Sequence, residues 1–523
     1  MDSLREVPAE LTARYVAQGW WDSRSLGTLI HESLIDVVHL PFVVHSSDRA
    51  WRGTIGEVAS AARQFAGWLH QRGIGPGDVI VMQLPNWVEA AVTFWGTAFA
   101  GAVIVPVVHF YGPKELSHIL RDVAPALVVT PNRFARIDYD HSLVEVVGDI
   151  PWVLVGEGES ALPTAEPLDR PVSVNPDQPA VIAFTSGTTQ SPKGVVHSHR
   201  TIGFEARQNA AISPAGGPPP LVGAPVGHFM GMLGALLGPL IRGVPIHLID
   251  EWNAAEVLRL MLGEQVGLSG GAPYFFTSLL DHPDFTSAHL RYVPSAGLGG
   301  SAVPTRFTRR LSGLGIKVTR CYGSTEHPTI TGCAFGEDEA KRITTDGHPL
   351  AGVEIRLDQE GQILSRGPDL CLGYTDAALT DEAFDSDGWY RTGDVGVLDS
   401  DGFLTITDRM SDIIIRGGEN ISAREVEELL LGLSGVTEVA VVPEPDERFG
   451  ERGIALIRLA DGAGRPDLDQ VRNHLAEAGL ARQKWPESVR VVKEFPRTAS
   501  GKVQKVRLRA QLRDGVLEGE VQQ

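Results

Sequence analysis

Residues 184–199 read FTSGTTQSPKGVVHSH, and the fold is decided by how this stretch is read. It continues an apolar run, Val181-Ile182-Ala183-Phe184, that predicts a buried strand. The next ten residues hold two glycines, five Ser or Thr hydroxyls and one lysine. Such a loop suits phosphate. Gly187 and Gly194 let backbone N–H groups approach an anion, Ser186, Thr188, Thr189 and Ser191 offer hydroxyl donors, and Lys193 brings a positive charge. The P-loop pattern G-x-x-x-x-G-K-[ST] does not fit, because Lys193 precedes its glycine and Val195 follows one residue on. Taken alone, the segment also reads as a polar turn between strand and helix.

Around it, strand and helix patterns alternate. Val58, Ala62, Phe65 and Leu69 share one helical face, and Gly73-Ile74-Gly75-Pro76-Gly77-Asp78 ends that helix. Strands are predicted at 79–84, 103–107, 127–130 and 152–155, with a helix over about 87–100. Further strands are predicted at 245–249, 266–269 and 316–321. The grammar is α/β: a large N-terminal domain of layered α/β subdomains. After about residue 350 hairpins take over, giving that domain a β-rich part. Beyond Asp408-Arg409-Met410-Ser411-Asp412 a small α+β unit closes the chain. The expected division is 1–407, a hinge at 408–412, and a mobile C-terminal domain over 413–523. The first 50 residues read as a packing arm without chemistry.

At 523 residues, with 43% apolar and 21% charged side chains, the chain has material for more than one core. A net charge of −19 argues against a general nucleic-acid or anionic-membrane surface, so any bound anion must be met by local groups. Three unpaired cysteines, Cys321, Cys333 and Cys371, and a charged N-terminus without an apolar core lead us to expect a reducing, cytoplasmic setting. The uncharged run 221–241 is broken by Pro225, Pro239 and five glycines, which reads as buried loop and helix rather than a membrane span.

Ligands of open α/β sheets collect at the carboxyl ends of strands. Two Gly-containing turns lie there, Ala296-Gly297-Leu298-Gly299-Gly300-Ser301 and Tyr322-Gly323-Ser324-Thr325-Glu326. Glu326 suits magnesium, which takes one or two carboxylates plus substrate phosphates. Asp394, in Tyr390-Arg391-Thr392-Gly393-Asp394, suits a ribose diol. Arg409 and Lys502, the latter in Pro496-Arg497-Thr498-Ala499-Ser500-Gly501-Lys502, complete the set. Singly, each has a plain alternative as a turn acid, a surface ion pair or a solvated lysine.

In this order, from about residue 50 to 505, the motifs resemble the AMP-forming acyl-CoA synthetases of the adenylate-forming superfamily, which also holds luciferases and peptide-synthetase adenylation domains. The detail is most similar to bacterial ligases for medium-chain or alicyclic acids. The resemblance implies ATP, Mg2+ and coenzyme A, with a small-molecule carboxylic acid as partner. Thr185 to Lys193 would hold the β- and γ-phosphates, and Gly299, Gly300, Ser301, Tyr322 and Gly323 would border the nucleotide. Thr325 would bond the α-phosphate, Glu326 the metal, and Asp394 and Arg409 the ribose. Lys502 would reach the reacting carboxylate, and His228 would stand between acyl and nucleotide sites. Gly417, Gly418 and Glu419 would border the pantetheine channel. Pocket walls are expected from 228–232, Tyr274, 297–300, Cys321 and His327. Two positions depart from the family: Gln190 where glycine is usual, and Ser411 where Asp or Lys is usual. A loader of a separate carrier protein and a non-catalytic nucleotide binder are the rival functions. A homo-oligomer is compatible with the sequence, which does not define the state.

Overall fold

The computed structural model describes residues 4–135, 137–156, 161–185, 192–214, 216–416, 419–446, 448–497, 502–514, 516–517 and 520–522. The chain forms two compact units, one from residues 1–355 and 365–390, the other from 356–364 and 391–523.

In the first unit the strands Val79–Met82, Val103–Pro106 and Leu127–Pro131 are buried along their whole length, as parallel strands covered on both faces must be. They belong to a seven-stranded sheet ordered Gly373–Tyr374, Lys193–Ser198, Pro179–Thr185, Val103–Pro106, Val79–Met82, Leu127–Pro131, Trp152–Val155. Pairing is parallel from Pro179–Thr185 to Trp152–Val155 and antiparallel on the other side. The helix Ile55–Gln71 starts on a capping box in which Thr54 and Glu57 exchange hydrogen bonds. It packs on Val88–Ala100, whose Trp95 is fully buried and donates Nε1–H to the Leu236 carbonyl at 3.0 Å. That bond lets a large aromatic enter the core with its polar atom satisfied.

This unit also has two larger sheets, one ordered Leu221–Val222, Ile246–Ile249, Pro41–His45, Trp51–Thr54, the other Gly270–Gly271, Ser295–Leu298, Lys317–Tyr322, Thr331–Gly332, His348–Pro349, and the two-stranded pair Arg133–Phe134 and Ile137–Asp138. The strand expected at 266–269 is displaced: only a bridge at Gly267 and the pair Gly270–Gly271 form. The reason is local. Gly267 bonds to Pro219 and Leu221 through its backbone, while the next N–H, of Leu268, turns to the Tyr292 carbonyl at 3.0 Å, so the run does not continue one ladder. The run 221–241 becomes a short strand and the successive helical pieces Phe229–Met232, Leu233–Leu237 and Gly238–Arg242. Among the described residues no helix is long and apolar enough to cross a membrane.

The second unit has a four-stranded sheet ordered Glu354–Leu357, Gln362–Arg366, Tyr390–Leu398, Leu404–Arg409. Its other sheet is built on the long hairpin Val436–Asp446 and Gly450–Leu459. The helices Ala423–Leu430, capped by Ser422, and Leu468–Glu477 supply Val426, Leu430, Val471 and Leu475 to that core.

Candidate active site

The phosphate-type loop closes a hairpin. Thr185 and Lys193 face each other across the antiparallel pair Pro179–Thr185 and Lys193–Ser198, so a strand, not a helix, follows the loop. Ser186, Gly187, Thr188, Thr189 and the departure Gln190 lie outside the described residues. His118 holds the near end of the loop, its Nε2 2.9 Å from the Pro192 carbonyl oxygen. Gly194 must be small, because a Cβ would fall 2.7 Å from Thr375 Oγ1 and 3.0 Å from the Phe184 ring. Lys193 places its ammonium 5.7 Å from the centre of the Tyr374 ring.

The strand Lys317–Tyr322 delivers the next group. A Cβ on Gly323 would lie 1.8 Å from the Pro328 carbonyl oxygen, so the chain doubles back here only with glycine. Ser324 N–H donates to the His327 carbonyl at 2.9 Å. His197, from the hairpin strand, donates Nε2–H to the Thr325 carbonyl at 2.8 Å and keeps Nδ1 3.2 Å from Thr201 Oγ1. Desolvation draws this imidazole down to about 4, so it is neutral near pH 7.

Glu326 is 9% exposed. Its Oε1 accepts from the Tyr374 hydroxyl at 2.7 Å, and its backbone carbonyl accepts from Cys371 N–H at 2.8 Å. No hydrogen bond reaches Oε2 among the described residues, and no cluster of three or more metal-ligating side chains exists among them. One open carboxylate oxygen beside a phosphate-type loop fits magnesium, which completes its shell with water and phosphate oxygens.

A buried polar layer supports this loop. His327, expected as a pocket wall, is fully enclosed: Nδ1 meets Ser365 Oγ at 2.8 Å and Nε2 meets Asp369 Oδ1 at 3.2 Å. Its two ring nitrogens are both used, which removes it from any ligand surface. Thr329 links the layer onward, donating to Glu205 Oε1 at 2.7 Å. Desolvation, then the charge of Asp369, raises the Glu205 carboxyl well above its ordinary range. From the other end of the chain, Arg5 donates to the Cys371 carbonyl at 2.8 and 3.0 Å, so the arm without expected chemistry braces the strand beside Glu326.

His228 precedes the helix Phe229–Met232 and is lowered by desolvation, hence neutral. Gly227 and Gly231 seat that turn, since a Cβ on either would meet backbone at 2.2 and 2.0 Å. Gly299 packs on Cys321, whose Sγ would sit 2.5 Å from an added Cβ, and Gly300 uses a φ of +76°. Ser301 follows in the same turn. Burial pushes the Cys321 thiol up to about 12, which makes it packing rather than nucleophile. Tyr274 is 46% exposed.

In the second unit, Asp394 and Arg409 are register partners on Tyr390–Leu398 and Leu404–Arg409, with Nε and Oδ1 2.9 Å apart. The Lys502 ammonium is held below its ordinary value by desolvation first and Arg409 second, with Asp394 and Asp412 opposing. Ser411 offers its carbonyl to Arg509 at 2.7 Å. Glu419 lies in the strand Glu419–Ile421, while Gly417 and Gly418 fall outside the described residues.

The AMP-binding enzyme family profile matches residues 39–375, and the AMP-binding enzyme C-terminal domain profile matches residues 425–502. A 3-[(3aS,4S,7aS)-7a-methyl-1,5-dioxo-octahydro-1H-inden-4-yl]propanoyl:CoA ligase of Rhodococcus jostii is 34% identical, with 88% of this chain and 93% of that protein covered. The medium-chain fatty-acid–CoA ligase of Escherichia coli is 31% identical, with 95% and 92% covered. The structure of ATP-bound MatB from Rhodopseudomonas palustris superposes with a TM-score of 0.84 at 26% identity, covering 94% of this chain and 99% of that one. The chain therefore belongs to the AMP-binding enzyme family, as an adenylate-forming acyl-CoA synthetase.

Tyr374, His197, Cys371 and Asp369 were not anticipated as site residues. His197 stood inside the stretch quoted first, where its burial was not readable. Tyr374 is joined to its partner only by a contact 48 positions long.

Proposed function

We propose that this synthetase activates a medium-chain or alicyclic acid with an uncharged tail and passes it to coenzyme A. The observation carrying the choice of acid is that segments 226–232 and 296–300 hold no formally charged side chain, with His228 kept neutral by burial. The acids named for the Rhodococcus jostii and Escherichia coli relatives, one bicyclic and one a medium chain, support that reading. An apolar wall discriminates one methylene by only about 1–3 kcal/mol, so several tails are expected to react.

The substrate carboxylate oxygen attacks the α-phosphorus of ATP, the bond to the bridging oxygen breaks, and pyrophosphate leaves. The barrier is mainly charge. Lys193 and the hydroxyls of 185–191 hold the β- and γ-phosphates, Thr325 the α-phosphate, and Tyr322 lies against adenine. Gly299, Gly300, Ser301 and Gly323 border the nucleotide. Asp394 accepts the ribose hydroxyls and is fixed in turn by Arg409. Glu326 would hold magnesium through its open carboxylate oxygen, and the metal when bound would supply charge neutralisation on the phosphates. Lys502 offsets the repulsion between carboxylate and α-phosphate. The thiol of coenzyme A then attacks the acyl carbon and AMP leaves. Lys502 serves the first half-reaction and Gly417, Gly418 and Glu419 the second, so a turn about 408–412 between them is part of the proposal.

The test is mass spectrometry of products formed with magnesium ATP and a panel of aliphatic, alicyclic and aryl acids, with and without coenzyme A. Acyl adenylate from aliphatic or alicyclic acids that becomes acyl-CoA on adding coenzyme A is the expected result. An adenylate indifferent to coenzyme A would move the function to loading a carrier protein.

A further inference from the structure

Tyr374 belongs to the first unit's edge strand Gly373–Tyr374, which pairs with the hairpin strand through Val195. Its backbone is pinned, with Tyr374 N–H donating to Thr380 Oγ1 at 2.9 Å. Its side chain is 5% exposed and ends 2.7 Å from Glu326 Oε1. On the ring face stands the Lys193 ammonium, 5.7 Å away.

We propose that Tyr374 is a positioning residue that occupies Oε1 of Glu326 and so presents Oε2 alone to the metal. It thereby limits the carboxylate to one-oxygen coordination and ties the metal acid to the phosphate lysine through a single ring. This deepens the assignment of Glu326 as the magnesium acid and rests on it. Magnesium demands near-octahedral geometry and is held by one or two carboxylates together with water and phosphate oxygens, whereas calcium's flexible shell readily takes both oxygens of one carboxylate. A hydroxyl that keeps Oε1 engaged therefore favours magnesium over calcium.

The test measures ATP affinity of the full chain by titration calorimetry, without acid substrate, in magnesium chloride, in calcium chloride and in EDTA. For Tyr374→Phe the magnesium-dependent gain in affinity is expected to fall about 10-fold, the usual cost of losing an outer partner of a metal ligand. The calcium-dependent gain and the metal-free affinity are expected to hold. Glu326→Gln should abolish the magnesium gain; if it keeps the gain, the assignment of Glu326 itself fails. If Glu326→Gln loses the gain while Tyr374→Phe keeps it, the positioning role alone is overturned. That role is likewise overturned if Tyr374→Phe weakens all three conditions equally, because that marks general disturbance. Should Tyr374→Phe not fold, the unaltered chain carries the test: a magnesium-dependent gain larger than the calcium-dependent gain supports the role, and an equal or larger calcium-dependent gain overturns it.

Discussion

The loop around Glu326 and the group around Asp394, Arg409 and Lys502 solve the same problem in different materials. The first is set by burial: His197, Tyr374 and Cys371 each close one hydrogen bond on the Thr325–Glu326 dipeptide, with Gly323 folded against Pro328. The second is set by charge, with Arg409 and Asp394 paired across strands at side-chain exposures of 35% and 14%. Hydrogen bonds in a closed interior are insensitive to salt and costly to leave half made. Half-buried ion pairs such as this one are easier to remake than a closed interior network. In the proposed roles, a metal acid gains from rigidity, and a lysine used in one half-reaction gains from release.

The largest break in this comparison should come from Lys502→Ala. It is expected to lower adenylate formation by roughly 10²–10³-fold, the loss typical of one preorganised electrostatic donor. Thioester formation from supplied acyl adenylate should survive, and pyrophosphate release with a separate thiolysis assay measures both. Near wild-type pyrophosphate release would remove Lys502 from its role.

Next in size is Gly323→Ala, whose Cβ has no room beside the Pro328 carbonyl. It should cost about 3 kcal/mol or more in the first unit, read as a lowered urea midpoint. By contrast Gly300→Ala, with φ of +76° and open space around it, should cost only about 1 kcal/mol. Equal effects would mean that strain rather than close approach governs both turns.

His197→Leu leaves the Thr325 carbonyl unpaired and should cost about 1–3 kcal/mol, with His197→Gln recovering part of it. The same residue gives a pH signature. Its folded value, about 4, lies below the ordinary histidine value of 6.5, so the unfolded chain binds the proton first. Its stabilising effect is complete above pH 6.5 and is lost as pH falls toward 4. Urea midpoints at pH 7.5 and 5.0 should therefore converge in His197→Gln relative to wild type. Smallest of all, Lys484→Ala, which breaks an exposed pair with Glu425, should change stability by about 0.5 kcal/mol or less and only at low salt.

What the sequence disclosed and what it hid divide along the same line. Strands at 79–82, 103–106, 127–131 and 152–155 announced themselves because each is a short, continuous apolar run. Glu326 was legible as an acid following a strand pattern, and Asp394 as the acid that closes Tyr390-Arg391-Thr392-Gly393-Asp394. Their partners were not. Nothing in local spacing places Tyr374 on Glu326 or His197 on the Thr325 carbonyl, because those bonds follow from which strands the sheet sets side by side. The hairpin at Lys193–Ser198 was hidden too, since its polar loop matches a strand-to-helix turn equally well. The slip at 266–269 arose where successive backbone N–H groups turn to different partners, which periodicity does not report.

The bonds from Arg5 to Cys371 span 366 residues. At a synthesis rate of about 5–20 residues per second, Arg5 leaves the ribosome roughly 20–70 s before its acceptor exists. The strand Lys193–Ser198 waits as well, its outer edge unpaired until Gly373–Tyr374 emerges. Bare edges of this kind invite foreign strands. One late arrival thus seals the vulnerable flank of the nascent sheet and, through Tyr374, finishes the support of Glu326. Closure of that edge and the support of Glu326 thus come from the same short segment.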